Sequence, residues 1–225
     1  MIFVTAVAMP SLYPAFAVNS FDEAIKKHRN TQTDEVGSAQ AGLPHFSIKT
    51  LNPVWTWKNS EDLVAIPKLT LLNQDGKTVT DEMFRGKTTF VSFMFTSCIG
   101  FCPTLTASLK SLASKFNSIS DVQYVAMSVD TERDTPTRLK QYFTKMKLDN
   151  RWTLLTGDHD AIYGLARNTF ASQAFQRKDT EERNFAHSEH VYLIDRDGFL
   201  RAVLNGTRQD IAKQAGEALK QLHTR

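Results

Sequence analysis

Two hydrophobic periods alternate along this chain. Phe90-Val-Ser-Phe-Met-Phe95 is a dense, β-prone apolar run. Beyond it, Leu105, Leu109, Leu112 and Phe116 recur at offsets of +4, +7 and +11, the spacing of one helix face. Val122-Gln-Tyr-Val-Ala-Met-Ser-Val129 is β-branched and aromatic and predicts a buried strand. A helix is expected over Thr137 to Met146, after the polar stretch Asp130-Thr-Glu-Arg-Asp-Thr-Pro136. Trp152 to Gly157 reads as a short strand, and Asp158 as the cap of a helix over Ala161 to Thr169. Gln173 to Asn184 is polar and reads as a loop. Val191 to Ile194 and Phe199 to Leu204 flank Asp195-Arg-Asp-Gly198, a hairpin signal, and Asp210 to Leu222 reads as a closing helix. The order β-α-β-α, then β-β-α, predicts an α/β fold: a central sheet with helices on both faces.

The N-terminal third is patterned differently. Residues 1–17 are apolar but interrupted by Pro10 and Pro14, too short and broken for a membrane span. Ala15-Phe16-Ala17 fits the small-x-small pattern that precedes a signal cleavage site, although no Lys or Arg stands ahead of the apolar run. Residues 1–17 are therefore expected to be an export segment, which places the protein in the periplasm or at the outer face of the inner membrane. Residues 18–50 read as a polar arm and 51–225 as the folded domain, with an N-terminal β-hairpin formed by Pro53 to Trp57 and Ala65 to Leu72.

Composition narrows the functional classes. The chain has 225 residues, 41% of them hydrophobic and 23% charged, enough for one domain with a full core. The 27 basic residues are scattered among 24 acidic ones for a net charge of +3, so no nucleic-acid partner is expected.

The chemistry concentrates in Thr96-Ser-Cys-Ile-Gly-Phe-Cys-Pro103, which holds both cysteines of the chain, Cys98 and Cys102. With Pro103 as the first helical residue, both thiols sit near a helix N-terminus, where partial positive charge favours thiolate. A disulfide closing so small a ring stabilises by only about 2 kcal/mol in the loop-entropy model, against roughly 4.7 for a 100-residue loop. A redox pair or a metal pair is the stronger reading. Of the six histidines, His28 and His223 lie in charged surroundings near the termini, His45 lies in the arm, and His159 stands at a helix start. His187 and His190 precede a strand of the same sheet as the one that delivers Cys98. His187 lies in the loop ahead of it and His190 at its mouth. Spacing alone leaves His187 equally open to an ordinary surface or core role.

The segments Phe93-Met-Phe-Thr-Ser-Cys-Ile-Gly-Phe-Cys-Pro103, Ser128-Val-Asp-Thr-Glu-Arg-Asp-Thr-Pro136, Trp152-Thr-Leu-Leu-Thr-Gly-Asp158 and His187-Ser188 before Val191-Tyr-Leu-Ile-Asp195 resemble, in order and spacing, the Sco/SenC family. These are thioredoxin-fold copper proteins that help to assemble the dinuclear copper centre of cytochrome c oxidase. The resemblance runs from about Ile66 to the C-terminus. It implies a thioredoxin-like sheet and Cys98, Cys102 and His187 as ligands of one copper ion, Cu(I) or Cu(II). It also implies a copper-receiving oxidase subunit or other copper enzyme, and a thiol reductant, as partners. Two thiolates and an imidazole suit that metal. Asp130 and Asp134 match the family's acidic loop, where they orient the site or a partner, or simply cap the helix before Pro136. The chain departs from the family at Ala186, where an aspartate often precedes the ligand histidine.

The competing reading is an exported thiol–disulfide oxidoreductase or thiol peroxidase of the same fold, with Cys98 and Cys102 as the redox pair. Against it stand the three-residue spacing and the lack of proline in Ala186-His-Ser-Glu-His190, where thioredoxin-like reductases resemble one another in a cis-proline. A structural disulfide in a binding module is the third class, and it predicts an inert Cys98.

Overall fold

The computed structural model describes residues 43–47, 63–170 and 189–223, together with the backbone of 53–54, 175–176 and 185–186. The expected segments 1–17 and most of 18–50 lie outside the described residues. Strands β1 (His45–Phe46) and β2 (Pro53–Val54) form a small antiparallel pair. Then follow β3 (Thr70–Asn73), β4 (Thr78–Thr80), a 3-10 turn (Asp81–Phe84), β5 (Thr88–Met94), α1 (Phe101–Lys115), β6 (Val122–Ser128) and α2 (Pro136–Lys145). After these come β7 (Trp152–Thr156), α3 (His159–Gly164) with a π-helical turn (Leu165–Thr169), and the short pair β8 (Phe175–Gln176) and β9 (Phe185–Ala186). The hairpin β10 (His190–Ile194) and β11 (Leu200–Asn205) and the helix α4 (Ile211–His223) complete the domain.

The main sheet has seven strands in the order β11-β10-β5-β6-β7-β3-β4. β5, β6 and β7 are parallel, whereas β10 and β3 join their flanks antiparallel. β5 and β6 are central, and every residue of both is buried. That explains why their sequences read as near-continuous apolar runs rather than alternating ones. Phe90, Tyr124 and Trp152 stand at one register on three adjacent strands and stack across one face, with centroids 5.4 and 5.1 Å apart. α1 covers this face. Arg151 lies over the Tyr124 ring and donates to the carbonyl of Ala113 in that helix. On the other face Phe170, beyond the π-helical turn, packs against Phe93 and Tyr192.

The structure differs from the sequence reading in two places near the N-terminus. The hairpin is β3–β4, turning at Asn73-Gln-Asp-Gly-Lys77, where the Asn73 side chain accepts the amides of Asp75 and Lys77. Ala65 instead bridges to Phe199, and Leu71 pairs with Val79. The domain also begins before residue 51. Buried Arg201 donates to the carbonyls of Leu43 and Pro44, and His45 packs edge-on against Phe199. The anchoring groups are main-chain carbonyls, which any residue supplies.

Candidate metal centre

β5 carries the chain to Met94, and the sulfur loop follows at the C-terminal end of the parallel strands. The amide of Cys98 bonds back to the carbonyl of Phe95 at 3.2 Å, which closes a tight turn. α1 then begins with Gly100 as its N-cap, so Phe101, Cys102 and Pro103 fill its first turn. Pro103 is thus the third helical residue rather than the first. It is tolerated there because none of the first amides of a helix has an intrahelical partner. The Cys98 sulfur takes one of those orphan amides: the Cys102 N–H points at Sγ of Cys98 at 3.3 Å.

No disulfide joins the two cysteines, and the Cys102 side chain is hydrogen-bonded to Cys98. They are not equivalent. Cys98 is half-buried, whereas Cys102 is only 1% exposed. The hydrogen bond to Cys98, reinforced by burial, pushes the Cys102 thiol far above its ordinary range. The expectation that the helix terminus makes thiolates of both therefore fails for Cys102, where the bond to Cys98 and then burial both favour the protonated form. One sulfur is reachable from solvent and the other sits beneath it, protonated until something displaces its proton.

The acidic loop is built into the same corner. Asp134 is fully buried. Its Oδ2 accepts the Thr96 amide at 2.8 Å and the Ser128 hydroxyl at 2.5 Å, its Oδ1 accepts the Thr96 hydroxyl at 2.5 Å, and Arg138 Nε lies 3.6 Å away. Helix capping is not its role, since Thr135 caps α2 through the Arg138 amide. Asp130 is also buried; its Oδ2 meets Arg133 Nε at 2.6 Å, and its Oδ1 has no hydrogen-bond partner. Beside it, the Tyr163 hydroxyl donates to the carbonyl of Val129 at 3.1 Å.

Around the sulfurs, Ile99 is 99% exposed, Gly100 is exposed and Phe101 is half-buried. Ile99 stands just ahead of Gly100, the N-cap of α1, and Phe101 is the first helical residue.

The histidines resolve as follows. His187 and His28 lie outside the described residues. His190 begins β10 as expected; its half-buried ring meets Tyr192 edge-on, and burial lowers its pKa. His159 stacks on Tyr163 at 4.1 Å, while the Asp158 side chain caps α3 through the Ala161 amide. His223 bonds Asp121 across to the loop before β6. His45 is a core residue rather than an arm residue. Among the described residues no group of three His, Cys, Asp or Glu side chains gathers at one point. Among the described residues the structure brings two soft sulfur donors, Cys98 and Cys102, together at one corner. Among the described residues no helix is long and apolar enough to cross a membrane.

A parallel βαβαβ core, with an antiparallel β-hairpin on one flank and a paired dithiol at the first strand-to-helix turn, defines a thioredoxin-like thiol protein. The chain belongs to the SCO1/SenC family, whose model matches residues 59–223. It is 33% identical over 144 residues to the SCO1 protein homolog of Bacillus subtilis, covering 63% of this chain and 74% of that one. Its structure is similar to a SCO1/SenC family lipoprotein from Bacillus anthracis (TM-score 0.65, 29% identity, 70% of this chain and 94% of the other). It is also similar to Arabidopsis thaliana ScoI with copper bound (TM-score 0.62, 26% identity, 70% and 99%).

Proposed function

We propose that this protein is a copper metallochaperone that takes up one copper ion through Cys98, Cys102 and His187. It passes the ion to the dinuclear copper centre of cytochrome c oxidase or to a comparable copper enzyme. The observation that carries this is the hydrogen-bonded pair Cys98 and Cys102, not joined by a disulfide, at the end of β5 in a chain of the SCO1/SenC family. Two sulfurs of this kind prefer Cu(I), and an imidazole completes a set that also accepts Cu(II). Binding releases the proton that the bond to Cys98, reinforced by burial, holds on Cys102, so uptake is favoured as pH rises. The exposed sulfur of Cys98 is the natural first contact for incoming metal, with Cys102 closing the site from below.

A second reading rests on the same pair. Two adjacent thiols can reduce a disulfide in the recipient: two S–H bonds and the recipient's S–S bond become one Cys98–Cys102 disulfide and two recipient thiols. A thiol reductant then restores the pair. Ala15-Phe16-Ala17 supports export, which places either chemistry in the periplasm or at the outer face of the inner membrane.

Titration of the fully reduced protein with Cu(I) tests the proposal. One equivalent is expected to bind, with loss of high affinity in Cys98→Ser and Cys102→Ser and weaker binding in His187→Ala. Unchanged affinity in all three variants sinks the site.

A further inference from the structure

Cys102 is fixed by α1, which packs on the sheet through Leu105, Leu109 and Leu112. Cys98 lies in the turn between β5 and α1, where its amide bonds to Phe95 and its sulfur faces the Cys102 amide. The start of that turn is also held by a carboxylate. Asp134 accepts both the amide and the hydroxyl of Thr96, two residues ahead of Cys98, and the hydroxyl of Ser128 at the end of β6. Arg138, on α2, donates to the Thr96 hydroxyl at 2.8 Å and flanks Asp134. The ends of β5 and β6 and the start of α2 therefore meet at a single buried charge.

A buried carboxylate is costly unless its lone pairs are filled, and here three hydrogen bonds fill them. The cluster has no need of this charge to cap α2, because Thr135 does that.

We infer that Asp134 is the positioning residue of the sulfur pair: by clamping Thr96 it fixes where the Cys98 sulfur stands relative to Cys102. This rests on the copper reading above and deepens it. Metal binding is sensitive to such support, and losing a group that orients a ligand costs about 10- to 100-fold in affinity. Released from Asp134, the turn keeps both ligands but no longer holds their separation.

The experiment uses the full reduced chain and competition for Cu(I) with a chromophoric chelator. Asp134→Ala is expected to weaken Cu(I) binding by roughly 10-fold or more. Asp134→Asn, which keeps an acceptor for the Thr96 amide, recovers much of the loss. Thr96→Val, which deletes one arm of the clamp at a half-buried position, gives a smaller loss that Thr96→Ser restores. Thr135→Ala removes the cap of α2 and lowers stability, yet leaves Cu(I) affinity within about two-fold. The reaction of Cys98 with an aromatic disulfide probe, read without copper, becomes several-fold faster in Asp134→Ala. Affinity and probe rate both unchanged in Asp134→Ala and Thr96→Val overturn the inference. So does a loss in Thr135→Ala as large as that in Asp134→Ala. If the native chain takes up no Cu(I), the copper reading fails, and the probe rate still decides the role of Asp134.

Discussion

Arg201 Nη1 lies 2.8 Å from Oδ2 of Asp195, and both residues are buried. Each charge has further partners. Asp195 also accepts the amides of Asp197 and Phe199, while Arg201 donates from Nε and Nη2 to the carbonyls of Pro44 and Leu43. The pair thus closes the β10–β11 turn and ties the start of the domain to it.

Removing one partner strands the other. Arg201→Leu is expected to cost about 3 kcal/mol in denaturant unfolding, because Asp195 stays buried without its cation. Amide exchange in β1 should rise in parallel. A loss below about 0.5 kcal/mol would show that the anchor is dispensable.

Gly206 follows β11 and faces Leu105 in α1. A methyl group there would collide with the Leu105 side chain and come within 3.0 Å of Val191 Cγ2. Leu105 lies one helical turn from Cys102 and is itself buried. Gly206→Ala should therefore destabilise by about 1–3 kcal/mol through overpacking, and displace the start of α1. Thermal unfolding reads the first effect, and lower Cu(I) affinity the second. An unchanged midpoint would mean that the sheet gives way at no cost.

The inequality of the thiols has a direct readout. At pH 8 in the folded state, iodoacetamide should modify Cys98 alone, with Cys102 reacting only after unfolding. Mass spectrometry counts the labels. Equal rates at both sites would contradict the buried, protonated Cys102.

Alkaline stability follows from the same burial. The Cys102 thiol is pushed above its ordinary 9.0, mainly by its bond to Cys98, and burial pushes the Tyr163 phenol from 10.0 up to about 12. Burial raises the Tyr124 phenol as well. A raised folded pKa means that the native state holds the proton more tightly than the unfolded chain. The stabilisation is complete below about pH 9 and is lost as pH climbs past 9 for the thiol and past 10 for the phenols. Each such proton steepens the decline by up to about 1.4 kcal/mol per pH unit. Urea midpoints should be level from pH 7 to 8.5 and fall by pH 10.5; a midpoint constant to pH 10.5 would refute this.

Ile99 is the opposite kind of residue. Fully exposed beside the reachable sulfur, it should tolerate Ile99→Ser with a change in stability within about 0.5 kcal/mol. Copper transfer to an isolated dinuclear-copper domain of an oxidase should slow in that variant, since burying an isoleucine at a contact is worth about 2 kcal/mol. Equal transfer rates would remove it from the docking surface.

The strand–turn–helix around the cysteines was legible because its signals are local: an apolar run, a helical period and a proline. β6, α2, β7 and the β10–β11 hairpin were legible for the same reason. What escaped depends on groups far apart in sequence. Asp134 looks like a capping residue beside Pro136; only the fold brings Thr96, 38 positions away, onto its carboxylate. Cys102 sits where a helix field favours thiolate, and only the fold shows that its bond to Cys98, with burial behind it, keeps it protonated. Arg201 reads as a surface charge on a strand until the carbonyls of Leu43 and Pro44 close around it.

That grip stands far from the chemistry. Arg201 lies at the register of Thr89 and Phe90, where β5 begins, whereas Cys98 lies beyond the strand's other end. The tether of Leu43 and Pro44 and the sulfur corner are thus separated by the length of β5, so the stability of the one can be altered by substitution without touching a residue of the other.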